Sequence, residues 1–463
     1  MNRPDEDATG RFADHALGLS WVELDARTRQ AARTFLHDTL CVGAAGARAP
    51  NADAVLKVAR TWGDGGPCSV LGRPGLRLPA GSAAFVNAFQ IHCQEFDCVH
   101  EPAVLHPLAT VLAALRAESE RSGPYSGPAF LTALVAGVDI AVALGLAATA
   151  PLRFFRPATA GVFGSVAALA RLRGLDRATT LDALGYALAF ASGTMQAHLE
   201  GKPALPVQVG HAARSAIDAV DLAAAGLKGP QSSIDGPFGY LNLFEGAFDL
   251  APVLRDLSSV RRITEVSWKP YPTGRAAQGG LVAIQTLQAR DGLSAPALER
   301  LVLRAPPLIK RLVGRPAKAG MDVAYARLCL PWLAAVALTQ GEVWLDDFGP
   351  DRLADPEILD LAQRISVEED GSADPAAFTP LTATATGRDG AVATVRIDAM
   401  LGSPAHPLTR AQHLDKARRC LEHAGLSDRH DALAAAIETL EDAPDAAAAL
   451  SFGLPASRTG ATS

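Results

Sequence analysis

The sequence predicts a mainly α-helical protein with a smaller α+β domain, and a cleft between the two. Three observations carry that expectation. At 463 residues the chain is long for one hydrophobic core, and chains of this size divide into domains. Its 49% hydrophobic content is concentrated in alanine-rich runs with helical spacing, up to about residue 255. Beyond residue 259 the pattern shifts to short β-type runs, and helical spacing returns only after residue 409.

The elements follow in order. Thr28 to Ala45 is an apolar-periodic run ending in glycines, and Val104 to Arg116 places Leu105, Leu108, Val111, Leu112 and Leu115 on one face. Phe130 to Ala150 is long enough to cross a bilayer, but Asp139 sits in its middle and no basic cluster flanks it. It reads as a helix buried on all sides, not a membrane span. Thr159 to Arg173 and Val209 to Ala225 are each followed by a glycine, as helix C-termini prefer. Joins fall at Gly72–Gly75, Gly201–Pro206 and Gly229–Phe238. Val260 to Trp268, Leu301 to Leu303 and Ile365 to Val367 read as strands. Thr379 to Thr386, then Gly-Arg-Asp-Gly, then Ala391 to Asp398 is the clearest hairpin signal. The division expected is a helical domain over 1–258, an α+β domain over 259–406, and helices over 407–445 packing back on the first. A frayed tail is expected over 446–463.

Composition narrows the function. A net charge of −6 leaves no electrostatic footprint for nucleic acid, so an anionic substrate would need local cations. The six cysteines are scattered without a C-x-x-C pair and the N-terminus is acidic and polar. Reduced thiols in a cytoplasm are the expectation.

The chemistry concentrates between Asn87 and Pro107, where His92, Glu95, Asp97, His100, Glu101 and His106 fall within fifteen positions, among apolar flanks. Each alone has a structural account, as a helix cap or a satisfied core group. Six together point to a site, because burying ionisable groups is costly unless they are paired or used. A metal site is a competing reading, but no H-E-x-x-H or similar ligand spacing is present.

Asn87-Ala88, His92, Glu95-Phe96-Asp97 and His106-Pro107 resemble a motif segment of the MmgE/PrpD family. Gly193-Thr194-Met195, Gly210-His211-Ala212-Ala213-Arg214, Gly226-Leu227-Lys228-Gly229-Pro230 and Lys269-Pro270-Tyr271-Pro272 continue the resemblance in order, over roughly residues 15 to 440. The resemblance implies a helical domain with an α+β lid, a homodimer, a cleft site, and no metal or organic cofactor. It implies a lyase or isomerase acting beside a carboxylate, in the manner of 2-methylcitrate dehydratases, cis-aconitate decarboxylases or iminodisuccinate epimerases. Several site positions depart from the family pattern. Glu95 stands for an aspartate, Val99 for a threonine, Arg156 for a histidine, Leu205 for a lysine, Gln208 for a histidine, and Gly274 lies where decarboxylase-like members carry a histidine nearby.

From the resemblance and the residue chemistry, His106 is expected as the acid or base. Glu95 and Asp97 would orient or share a proton with a histidine, and Lys269 completes the catalytic set. Arg156 and Arg275 are expected to hold substrate carboxylates, with Tyr271, His100, His92 and Gln208 as further substrate contacts. The leading expectation is a cofactor-independent dehydratase-type lyase of a small di- or tricarboxylate. A decarboxylase, an epimerase and a non-catalytic metabolite binder are the alternatives.

Overall fold

A computed structural model describes residues 7–374 and 377–451. Helices dominate, and several begin where the sequence supplies a cap. Asp25 accepts from the Thr28 amide at the start of Ala26–Gly46, and Ser126 from the Ala129 amide at the start of Gly127–Ala147; both satisfy amides that the first turn leaves without partners. The Gly127–Ala147 helix is the hub of the first hydrophobic cluster, and 89% of its most apolar window is buried. Asp139 at its middle is tolerated because Arg261 Nη1 and His15 Nε2 lie 3.0 Å from its Oδ2 while the Arg262 amide donates to Oδ1 at 2.7 Å. Its neighbour Gly161–Arg173 crosses so closely that a Cβ on Gly164 would lie 2.5 Å from the Gly137 carbonyl oxygen.

Two hydrophobic clusters form. The larger runs from Ala8 to Val266 and takes in Leu345 and the C-terminal helices, among them Arg410–Ala424 and His430–Glu438. The smaller runs from Tyr271 to Met400. It is built on a four-stranded sheet in the order Ile365–Glu369, Leu298–Ala305, Leu381–Gly387, Val392–Ile397, with the first pair parallel and the others antiparallel. Helices Arg275–Asp291 and Leu330–Gln340 pack on this sheet.

The structure corrects four local expectations. Val260–Trp268 is not a strand: Arg262–Glu265 forms a 3₁₀ turn, held by the Arg262 amide on Asp139 and by the Arg262 side chain on Asp256 and Glu265. Only Ser267 keeps a ladder contact, exchanging two backbone bonds with Val99. The helix expected from Val104 starts at Pro107, because Val104 adopts φ +49°. The run from Thr159 is split into Arg156–Thr159 and Gly161–Arg173. The tail is packed as far as Ser451: Asp445 caps Ala446–Ala449, the Ala446 amide donates to the Tyr125 carbonyl, and Ala446 and Leu450 are buried. Residues 452–463 lie outside the described part.

Candidate active site

The Ala80–His92 helix ends on His92, and the Pro107–Ser122 helix begins just after His106. The fourteen-residue connection from Cys93 to His106 is pinned by two backbone pairings. Val99 pairs with Ser267 of the chain beyond the first cluster, and His100 pairs with Leu105. Glu95 is held in the left-handed region at φ +51°, an uncommon state for a residue with a side chain and one that collects at functional sites.

That path brings two imidazoles to a single carboxylate oxygen. Asp97 Oδ2 lies 3.0 Å from His92 Nδ1 and 3.1 Å from His106 Nδ1, and the two imidazoles meet edge-on with centroids 4.8 Å apart. With both Nδ1 atoms turned to Asp97, each ring presents Nε2 elsewhere. His92 Nε2 is buried and lies 3.8 Å from Glu95 Oε1. The Lys269 ammonium, fully buried, donates to Glu95 Oε2 and to the Glu95 carbonyl at 3.1 Å each, and is 4.0 Å from Asp97 Oδ1.

Burial works against every charge here, and the partners decide which survive. Burial would raise Asp97, but His106 and His92 hold it well below the usual carboxylate range. Burial would likewise raise Glu95, and Lys269 with the two histidines brings it down to about 2. His92 is opposed by burial, yet Asp97 and Glu95 lift it above its ordinary value. His106 moves the other way: burial, with Lys269 and His92, outweighs Asp97 and lowers it. One carboxylate therefore sits between a histidine that favours its proton and one that gives it up. His92, Asp97 and His106 are also spaced so that a divalent cation could be held; the Lys269 ammonium beside Asp97 opposes such an ion.

Two cavities meet at Glu95 and Leu328. The first encloses about 550 Å³ of empty space, counted to its mouth, and is reached by His106, Glu95, His198 and Arg275. Its wall is otherwise apolar, from Val99, Val104, Leu152, Phe155, Leu312, Val313 and Phe378 among others. The second, of about 510 Å³, is lined by His92, Glu95, Cys93, Leu205 and Arg327 among others.

The model of the MmgE/PrpD N-terminal domain matches residues 10–252, and that of the MmgE/PrpD C-terminal domain matches residues 271–442. The chain belongs to the MmgE/PrpD family. It is 28% identical over 465 residues to the cis-aconitate decarboxylase of Mus musculus, across 95% of this chain and 92% of that protein. Identity to the Homo sapiens cis-aconitate decarboxylase is 28% over 458 residues, across 94% and 92% of the two chains. The cis-aconitate decarboxylase of Aspergillus terreus is 25% identical over 381 residues, 77% of each chain.

Within this MmgE/PrpD protein the remaining sequence-expected residues divide. Arg275 lines the cavity, but its Nε donates to Glu101 at 2.6 Å and its Nη1 to the carbonyls of Trp268 and Leu401. Arg156 is engaged within the protein: its Nε and Nη2 donate to the Glu245 carboxylate at 2.9–3.2 Å and its Nη1 to the Ala103 carbonyl, and it lines neither described cavity. Gln208 spends its amide on the Thr194 backbone. Tyr271 bonds Gln285 within the second cluster, and His100 bridges Glu265 and the Ala103 amide. None of these three lines either described cavity. Lys269 and Asp97 stand behind Glu95 and His106, not on the wall of either described cavity.

Three groups escaped the sequence reading. His198 reaches the first cavity and is driven down to about 4, chiefly by burial and then by Arg315. Arg315 lies behind that wall and donates to the His198 and Leu312 carbonyls. Arg327 is buried between the two clusters and gives Nη1 to the carbonyls of Gln94 and Pro272. His198 had one signal, a histidine close after Gly193-Thr194-Met195; the two arginines had none.

Proposed function

We propose that this protein is a cofactor-independent carboxylate lyase that removes CO2 from a small unsaturated acid, with His106 returning a proton to carbon. The observation that carries the reading is His106, its Nδ1 3.1 Å from Asp97 Oδ2, reaching a cavity whose wall is largely apolar. In such a reaction the C–C bond to the leaving carboxylate breaks and its electron pair passes into the carbon skeleton. A proton from His106 Nε2 then closes the developing carbanion, and solvent restores the histidine. The net change is substrate plus one proton to product plus CO2.

Asp97 fixes the tautomer and orientation of His106, and Lys269 holds Glu95 in place. An apolar wall suits a carboxylate that is losing its charge, since the neutral product is not penalised there. Decarboxylation needs one proton delivered to carbon, which His106 can supply, whereas expelling hydroxide needs an acid in addition to the base at carbon. The cis-aconitate decarboxylase relatives support the same choice.

Proton NMR in D2O with a panel of unsaturated and hydroxylated di- and tricarboxylates, with His106→Gln alongside, tests it. New olefinic signals with deuterium at one carbon, abolished in the variant, are expected. Net water addition or removal without loss of CO2 would replace the reading with a dehydratase. Exchange at one carbon without net reaction would move the protein to the isomerases.

A further inference from the structure

Resting on that reading, we infer that the preferred substrate carries only two carboxylates, with an alkyl group where cis-aconitate carries its third. The argument is one of charge. A buried carboxylate needs a cation or several donors, or its burial is prohibitive. Arg275, the guanidinium on the wall, is already engaged by Glu101 and two carbonyls. Lys269 is fully buried behind Glu95 and bonded to it. Arg156 is spent on Glu245. Glu95 itself adds a negative charge to the wall, being held at about 2.

What remains on this cavity's described wall is His106 and His198. Each offers an imidazole that can meet a carboxylate. Two imidazoles match two carboxylates. A third would meet Val99, Val104, Leu152, Leu312, Val313 and Phe378, where a hydrocarbon is at home and an ion is not. Position 205, at the second cavity, holds a leucine that adds no charge.

The chemistry fixes a convenient skeleton. In pent-2-enedioate, loss of CO2 from the CH2 carboxylate makes a new terminal C=C from the broken bond's electron pair. The old C=C pair moves to the carbon beside the second carboxylate and takes the His106 proton there. cis-Aconitate is this skeleton with a carboxylate at carbon 3; the inferred substrates carry methyl, ethyl or propyl at that carbon.

The test is a competition in D2O, with the native protein given cis-aconitate and 3-methyl- or 3-propyl-pent-2-enedioate together, followed by proton NMR of the terminal CH2 signals. The expected result is at least a tenfold higher kcat/KM for the alkyl compounds. Faster turnover of cis-aconitate overturns the inference while leaving the lyase reading intact. Should neither turn over, the lyase reading fails on this skeleton and thermal stabilisation decides the pocket's preference. Stabilisation by the alkyl diacids but not by cis-aconitate upholds it, and any other pattern overturns it. Leu312→Lys puts an ammonium on the wall and is expected to shift the kcat/KM ratio at least tenfold towards cis-aconitate. That ratio is readable even where the variant yields little folded protein, and an unmoved ratio counts against the inference.

Discussion

Replacing Arg156 by methionine separates two accounts of this residue, one structural and one catalytic. In the structure its guanidinium makes three contacts of 2.9–3.2 Å to Glu245, and both side chains are about 5% exposed or less. Methionine keeps much of the volume but leaves the Glu245 carboxylate buried with the Tyr240 hydroxyl, at 2.8 Å, as its remaining donor. Breaking one side of such a pair costs about 3–5 kcal/mol, a large share of the roughly 5–15 kcal/mol that holds a typical domain together. Removing both charges is far milder, because a buried pair replaced whole is often near neutral. Urea unfolding of Arg156→Met, Glu245→Gln and the double variant should therefore give an interaction energy of about 2–3 kcal/mol, at the upper end for residues in contact. Activity should follow stability: lost on warming in the single variants, largely recovered in the double. A tenfold rise in KM for Arg156→Met, persisting in the double variant with stability unchanged, would refute the structural account and restore Arg156 as a substrate ligand.

The other expectations can be taken together. His106→Gln should lower kcat by about 10²–10⁴-fold, the range for a positioned acid or base, with KM changing little; stopped assays of CO2 release check it. Since His106 lies below its ordinary value and acts as an acid here, kcat/KM should fall as pH rises through a midpoint below about 6.5; a rise over the same range would make it a base. Glu95, at about 2 in the folded chain against an ordinary 4.5, contributes stability that is present above pH 4.5 and lost as pH falls towards 2. Glu95→Gln should flatten that part of the acid-unfolding curve, and an unchanged slope would show that the carboxylate is not paired with Lys269. Gly46→Ala should destabilise by about 1–3 kcal/mol in chemical denaturation, because its Cβ would lie 1.9 Å from the Gln90 carbonyl oxygen.

What could be read from the sequence was what is local. The Leu381–Ile397 hairpin is legible because Leu381, Ala383 and Ala385 alternate into the core while Thr382 and Thr384 do not. The histidine–carboxylate cluster is legible because its members are neighbours in sequence before they are neighbours in space. Val260–Trp268 misleads because its β-branched residues signal a strand, whereas the deciding bond comes from Asp139, more than a hundred residues away. The pairing of Arg156 is hidden for the same reason: its partner Glu245 is 89 positions on, and nothing in Phe-Phe-Arg-Pro announces it. The cavity wall could not be foreseen at all, since Leu152, Leu312 and Phe378 meet only once the two clusters close on each other.

The three arginine and lysine positions that the sequence led one to expect at the site share one property that the residue types alone conceal. Lys269 is joined to Glu95, Arg275 to Glu101 and Arg156 to Glu245, so each cation is neutralised by a carboxylate of this chain before any substrate arrives. These three cations are balanced before an anion arrives, and the further groups on the first cavity's wall that can gain charge beside one are His106 and His198. On the proposed decarboxylase reading, binding and protonation are one event. The carboxylate that enters beside His106 supplies the negative charge that favours the imidazolium, and the imidazolium is the acid the reaction needs. The acid is thereby assembled only when something is present to receive its proton, and the apolar wall around it keeps water from competing for the same proton.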